Sequence, residues 1–433
     1  MHSLAVRGGR VVTNDAVVRR DILILEGTIA RIVAPGEGDA RDTIDAHGLV
    51  VLPGVVDAHV HVNEPGRTEW EGWLAATRGA ARGGVTTIAD MPLNSIPPTT
   101  DAAAFDAKYE AASRSAVVDF ALWGGLVDDD RRKLRALADC GVVGVKAFTC
   151  ASGVDEFPHL DAALLPRALA AAADAGLLVA LHCEDEEVLS TPRGTDARAW
   201  LESRPIAAEL AAIERVRPTT HGQVHVVHAS CAPTVTAARR ARLSVETCPH
   251  YLAFDAEDVA RAGAALKCAP PIRAGQRDGL WDAVLRGEVD YVASDHSPST
   301  RALKGGPFTA AWGGVSGVQS TLPLLLTEGV HARGMDLVML AQLLATRPAK
   351  RLGLTRKGEI RPGNDADLVL VDLDREWTLG PDALETRSGL SPYLGRRFRG
   401  AVVRTLVRGR TVYADDVVTG APGDGWFVQR VNA

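Results

Sequence analysis

Eight short apolar runs recur between residues 53 and 354, each followed by an Ala-rich stretch of helical length. They are Val55 to Val60, Val85 to Asp90, Val118 to Trp123, Val142 to Phe148, Leu177 to His182, Val224 to His228, Leu243 to Thr247 and Val289 to Ser294. This alternation builds βα units on a parallel sheet, and eight units in about 300 residues fit a closed barrel better than an open doubly wound sheet. Residues 1–52 and 355–433 keep another rhythm, with strand-like pieces such as Ile22-Leu23-Ile24-Leu25 broken by tight glycine turns. We expect small antiparallel strands there, too few in either segment to bury a core alone. The expected fold is therefore α/β, a (β/α)8 TIM barrel over 53–354. Residues 1–52 and 355–433 are expected to pair into one small β-sandwich domain.

Composition narrows the partners. The chain of 433 residues is 46% hydrophobic, which excludes disorder, and its formal charge is −6. The longest basic run is Arg131-Arg132-Lys133, so nucleic acid is not an expected partner. Six arginines between Arg396 and Arg410 form a basic cluster, read as solvated surface or subunit contact. Cys140, Cys150, Cys183, Cys231, Cys248 and Cys268 form no C-x-x-C pair and read as reduced thiols. No signal-like start is evident, and no apolar run approaches the roughly 18 residues that span a bilayer. A cytoplasmic protein without a membrane partner is expected.

Barrel enzymes carry their chemistry at the C-terminal ends of the strands. Here the first run ends in Asp57-Ala58-His59-Val60-His61, the fourth carries Lys146, and the fifth and sixth end at His182 and His228. The eighth leads into Asp295-His296. His59 and His61, two apart on a strand, point to the same side. Alone, that pair fits core or surface histidines equally well. With His182, His228 and Asp295 on the same rim, the set holds enough ligands for two borderline cations such as zinc. Lys146 lies inside an apolar strand, where a bare ammonium is costly. Either a buried ion pair neutralises it or, beside metal ions, the neutral amine takes up carbon dioxide as a bridging carbamate. The surrounding ligands favour the carbamate.

These segments resemble the amidohydrolase superfamily, in its cyclic amidohydrolase branch of dihydroorotases, dihydropyrimidinases and allantoinases. The resemblance also covers Gly27-Thr28-Ile29-Ala30-Arg31-Ile32, Leu52-Pro53-Gly54-Val55-Val56-Asp57-Ala58-His59 and the closing Gly358-Glu359-Ile360 with Asp365-Ala366-Asp367-Leu368. It implies that His59, His61, carbamylated Lys146 and Asp295 bind a first metal and Lys146, His182 and His228 a second. Within the branch the likeness is greatest to the allantoinase group, through Glu64-Pro65-Gly66-Arg67, Met91-Pro92-Leu93-Asn94, Glu202-Ser203-Arg204-Pro205, Glu246-Thr247-Cys248-Pro249-His250-Tyr251 and Trp312-Gly313-Gly314. Asn63 replaces the arginine with which dihydroorotases clamp a carboxylate. Thr149-Cys150-Ala151-Ser152-Gly153 replaces the tyrosine loop of dihydropyrimidinases.

The resemblance implies hydrolysis of the hydantoin ring amide of allantoin to allantoate, in purine catabolism. Two divalent ions, zinc foremost and cobalt, manganese or nickel as alternatives, would activate a bridging water. Asp295 would carry its proton to the leaving nitrogen. Asn63, Asn94, Cys150, Ser152, Cys268, Gly314 and Gly317 are the expected substrate contacts, and a homotetramer the expected assembly. The alternative readings are a dihydropyrimidinase or hydantoinase, a dihydroorotase, and a noncatalytic scaffold.

Overall fold

The computed structural model describes residues 2–217 and 223–431, and every expected site residue lies among them. The runs become β1 (Val55–Val60), β2 (Val85–Asp90), β3 (Asp119–Leu122, resuming at Gly124–Gly125) and β4 (Val145–Phe148). They continue as β5 (Val179–His182), β6 (Val224–Val226), β7 (Ser244–Thr247) and β8 (Tyr291–Val292). Neighbours pair in parallel and in chain order. The ring closes where Val60 bridges His296 in parallel and Ser294 N donates to Asp57 Oδ1 at 3.0 Å. The molecule is a (β/α)8 barrel. β8 is shorter than its apolar run because Ser294 leaves the ladder to bond that buried β1 carboxylate.

Small residues let the outer helices approach the strands closely. In α1 (Trp73–Arg82) the buried Trp73, Ala76, Thr77, Ala80 and Ala81 recur at helical spacing and form the stripe laid on the barrel. In α2 (Ala102–Ser115) the Asp101 side chain accepts from Ala104 N and satisfies an N–H that the first turn would leave unpaired. Among the described residues no helix is long and apolar enough to cross a membrane.

The chain ends meet in one seven-stranded sheet. Val50–Pro53 pairs antiparallel with Leu368–Val371 and parallel with Arg10–Val11. A four-stranded sheet from residues 2–45 packs on it through Val6, Ile22, Ile24, Ile29, Val51, Leu368, Leu370 and Leu406. Two of these pairings correct the antiparallel expectation, since His2–Arg7 also runs parallel to Ala40–Asp45. The hairpin of residues 21–33 occupies one edge of His2–Arg7, so the next strand takes the other edge after a crossover and arrives parallel. Beneath the barrel, Lys357 Nζ is gripped by Asp119 at the start of β3 at 2.5 Å, by Asp367 at 2.7 Å and by Asp365 at 3.0 Å. The arginines of the 396–410 cluster are not a bare basic surface: Arg396 pairs with Glu328, Arg397 with Glu376, Arg399 with Asp374, Arg408 with Asp119 and Arg410 with Asp424.

Candidate active site

Side chains alternate along a strand, so His59 and the following His61 both face the barrel mouth. His59 Nδ1 donates to Glu246 Oε1 at 2.6 Å, and His61 Nδ1 donates to the Leu93 carbonyl at 3.0 Å. Each ring is thereby held in the tautomer that leaves Nε2 bare. The two Nε2 atoms lie 3.2 and 3.4 Å from Asp295 Oδ1. His59 Nε2 is buried and makes no hydrogen bond. On the other wall His182 Nε2 donates to Glu184 Oε2 at 2.8 Å, which turns His182 Nδ1 towards His228 Nε2, 3.0 Å away. Four imidazoles thus turn nitrogens towards one space, those of His182 and His228 bonded to each other, with ring centroids 5.4 Å apart for His59 and His61 and 5.6 Å for His59 and His228. This donor set, with Asp295, fits divalent cations of the zinc type.

Lys146 stands between the two walls on β4. It is 1% exposed, and its Nζ lies 4.9 Å from the centre of the Phe148 ring. No carboxylate pairs with it among the described residues, so the ion-pair alternative finds no partner. Burial pulls its ammonium down to about 8, against the opposing pull of Asp295 and Glu246. Burial, then the charges of His182 and Lys146, push His228 well below its ordinary value. Burial raises Asp295, but His59 and His61 more than offset it and hold the carboxyl well below the usual range. Asn63, His228 and Asp295 have φ of 67°, 43° and 44°, left-handed backbone that non-glycine residues adopt at a cost. Three such residues at the ends of the strands mark where the fold stores strain.

A cavity of 430 Å³ opens over these groups. It is lined by His59, His61, Lys146, His182, His228 and Asp295, and by Asn94, Ser152, Cys268 and Gly314 from the expected contacts. Gly314 is required there, because its φ is 108° and a Cβ would sit 2.1 Å from the Ser297 carbonyl oxygen. Asn63, Cys150 and Gly317 are not among the residues that line the cavity. Asn63 is buried behind Asn94, donating to the Pro298 carbonyl at 3.1 Å and accepting from Asn94 Nδ2 at 3.1 Å. The Cys150 thiol, buried and pushed up to about 12 by that burial, lies 3.6 Å from Arg204 Nη2. Gly317 N donates to His296 Nδ1. A larger cleft of 690 Å³ lies beneath the barrel, but no imidazole lines it and its Arg356, Arg408 and Arg410 are paired with Asp365, Asp119 and Asp424.

Several groups escaped the sequence reading. Glu246 orients His59 and also accepts from His225 Nε2 at 3.1 Å. Burial raises its carboxyl, but His59 and His225 more than offset it. Glu184 holds His182 and receives Arg204 on both oxygens, Nη2 at 2.6 Å and Nε at 3.1 Å. Burial notwithstanding, Arg204 and His182 hold it down at about 2. Trp200, Lys267 and Trp312 complete the wall, with Lys267 Nζ donating to the Thr309 and Ala311 carbonyls. The signal for Glu246 was the one used for Lys146, a charge inside an apolar strand.

Known proteins resemble the chain over nearly its whole length. The sequence model of the "Amidohydrolase family" matches residues 50–412. An allantoinase of Solibacter usitatus is 47% identical over 97% of this chain and 95% of its own. One of Rubrobacter xylanophilus is 46% identical, over 98% and 97%. The solved L-hydantoinase (dihydropyrimidinase) of Arthrobacter aurescens superposes with a TM-score of 0.96 at 32% identity, covering 99% of this chain and 100% of that one.

Proposed function

Because the chain belongs to the amidohydrolase family, we propose that it hydrolyses a cyclic amide, opening the hydantoin ring of allantoin to allantoate in purine catabolism. The near-full-length allantoinase relatives support this substrate. The observation that carries the substrate class is the commitment of the guanidinium groups around the cavity. Arg204 is spent on Glu184, and Arg67 on Glu156 at 2.5 Å and on the Asn94 carbonyl at 2.7 Å. Among the described residues around the cavity no arginine fork is left for a substrate carboxylate, so a neutral ring suits the site better than dihydroorotate.

We assign His59, His61, Lys146 and Asp295 to one divalent ion and Lys146, His182 and His228 to a second. Zinc is the expected metal, and Lys146 carries carbon dioxide as a carbamate. Bound there, the ions would supply a Lewis acid for the ring carbonyl and lower the pKa of water. Asp295, ionised at neutral pH, takes the proton of the attacking water as the carbon–oxygen bond forms. It returns that proton to the ring nitrogen as the carbon–nitrogen bond breaks, since an amide anion is too poor a leaving group to depart bare. Glu246 and Glu184 keep the imidazoles oriented, and Asn94, Ser152, Cys268 and Gly314 border the ring. Residues 1–52 with 355–433 act as one composite β domain bracing the barrel of 53–354, in a cytoplasmic homotetramer.

Initial rates on allantoin, dihydrouracil, hydantoin and dihydroorotate, measured with zinc and bicarbonate at equal substrate concentration, test the reading. Allantoin is expected to lead by orders of magnitude. A lead for dihydrouracil or hydantoin would keep the hydrolytic chemistry and overturn the substrate.

A further inference from the structure

Four groups of described residues bring three metal-ligating atoms within 4.8 Å of one another. His59, His61 and Asp295 belong to the site above. Asp119, Asp365 and Asp367 already enclose a cation, the ammonium of Lys357. Cys150, His182 and Glu184 are engaged by Arg204, which reaches Glu184 at 2.6 Å and Cys150 Sγ at 3.6 Å. The fourth group, Cys248, His250 and Asp295, encloses no cationic side chain and shares Asp295 with the first.

Cys248 directly follows β7, and His250 lies in the single helical turn Pro249–Ala253. Their exposures are 0% and 1%. Neither nitrogen of His250 has a hydrogen-bond partner, although both are buried. A buried imidazole that forfeits both its bonds is costly, and a cation facing one nitrogen would recover part of that cost. The third member, Asp295, also lines the cavity and so joins the group to the substrate space. Sulfur, imidazole nitrogen and carboxylate oxygen together form a softer set than the sulfur-free donors of the four-histidine site, and select thiophilic divalent cations.

We propose that Cys248, His250 and Asp295 form a second kind of metal site, one for a soft divalent cation such as cadmium or zinc in excess. On binding, the metal–sulfur bond forms as the Cys248 thiol releases its proton to solvent, with no change of oxidation state. Asp295 is then drawn from His59 and His61 towards Cys248. A consequence that rests on the function proposed for Asp295 is inhibition through kcat, because the proton carrier is occupied.

Cadmium added to the zinc-loaded, full-length enzyme in a Cys140→Ser background, which removes the one partly exposed thiol, tests the site. The expected result is one cadmium per chain and an ultraviolet thiolate-to-cadmium band. The band is expected to survive Cys150→Ser, vanish in Cys248→Ser, and require at least about tenfold more cadmium in His250→Gln. Cadmium-edge X-ray absorption of the parent protein gives an answer that needs no folded variant, with one sulfur expected in the coordination shell. A band that persists in Cys248→Ser, or a shell without sulfur, overturns the site. Cadmium bound through Cys248 with an undiminished rate overturns the role of Asp295 and leaves the site standing.

Discussion

Lys146→Met should shift the stability of the metal-free and metal-loaded protein in opposite directions. In the folded chain Lys146 is buried without a carboxylate partner, and burial lowers it from 10.5 to about 8. Each tenfold in that equilibrium is worth about 1.4 kcal/mol, so the buried ammonium destabilises the metal-free fold by about 3 kcal/mol at neutral pH. The folded pKa lies below the unfolded one. The penalty is therefore complete below about 8, fades as pH rises towards 10.5, and is absent above it. Methionine has similar length and no charge, so the metal-free variant should gain about 3 kcal/mol at pH 7 and about 1 kcal/mol or less at pH 10. With zinc and bicarbonate present the order reverses, because the wild type gains the binding energy of the metals and the variant does not. Urea unfolding of both proteins, metal-free in carbon-dioxide-free buffer and then zinc-loaded, measures all four stabilities. A metal-free variant less stable than the wild type would refute the reasoning, since Lys146 would then have a partner that its surroundings do not reveal.

Three further outcomes are expected. Lys146→Ala should lose bound zinc and allantoin hydrolysis together and regain part of both with a short carboxylic acid, and metal analysis showing full occupancy without the acid would sink the carbamate. Glu246→Gln, which loosens His59 and His225 at once, should weaken zinc binding by roughly 10–100-fold in a chelator competition; unchanged affinity would mean that the 2.6 Å contact to His59 does not set its tautomer. Lys357→Met leaves three buried carboxylates without their shared cation and should cost roughly 3–5 kcal/mol in urea unfolding at neutral pH, with the deficit shrinking in acid as the carboxylates protonate; a loss below about 1 kcal/mol would show that Arg356 and Arg408 already neutralise them.

The barrel was legible because strand and helix write different periods into the sequence, and because barrel chemistry gathers at known strand ends. His59, His61, Lys146, His182, His228 and Asp295 could be placed on one rim from their positions in the runs alone. Of the loop residues, Asn94, Ser152, Cys268 and Gly314 border the cavity and the others do not. Asn63 and Asn94 both lie near the rim in sequence, yet Asn63 turns away because its left-handed backbone aims the amide at the carbonyl of Pro298, 235 positions along the chain. Cys150 faces Arg204, 54 positions on, and is covered by it. The pairing of Glu246 with His59 spans 187 positions. Such contacts are properties of the closed ring, and no local pattern announces them. The parallel pairs of the small sheets were missed for a related reason, since pairing direction follows from which sheet edge is vacant when a strand arrives.

The buried lysines show where the boundary between sequence and structure falls. Lys108, Lys146, Lys267 and Lys357 are all buried, and no local pattern announces which partner each will meet. In the fold Lys108 donates to Asp90 at 2.6 Å, Lys357 sits among three aspartates, and Lys267 bonds two backbone carbonyls. Lys146 alone of the four has no acceptor, although two glutamates approach the same wall. Those glutamates are already committed, Glu246 to His59 and His225 and Glu184 to His182 and Arg204. The site therefore directs its fixed carboxylates at the imidazoles and withholds them from the lysine. A fold that needed Lys146 only as a buried cation would stabilise it as it does Lys108. One that uses the amine as a precursor of an anion gains by leaving it unpaired and partly neutral, because the free amine is the form that reacts with carbon dioxide. This distribution of carboxylates is the physical support for proposing the carbamate on Lys146 and on none of the other three.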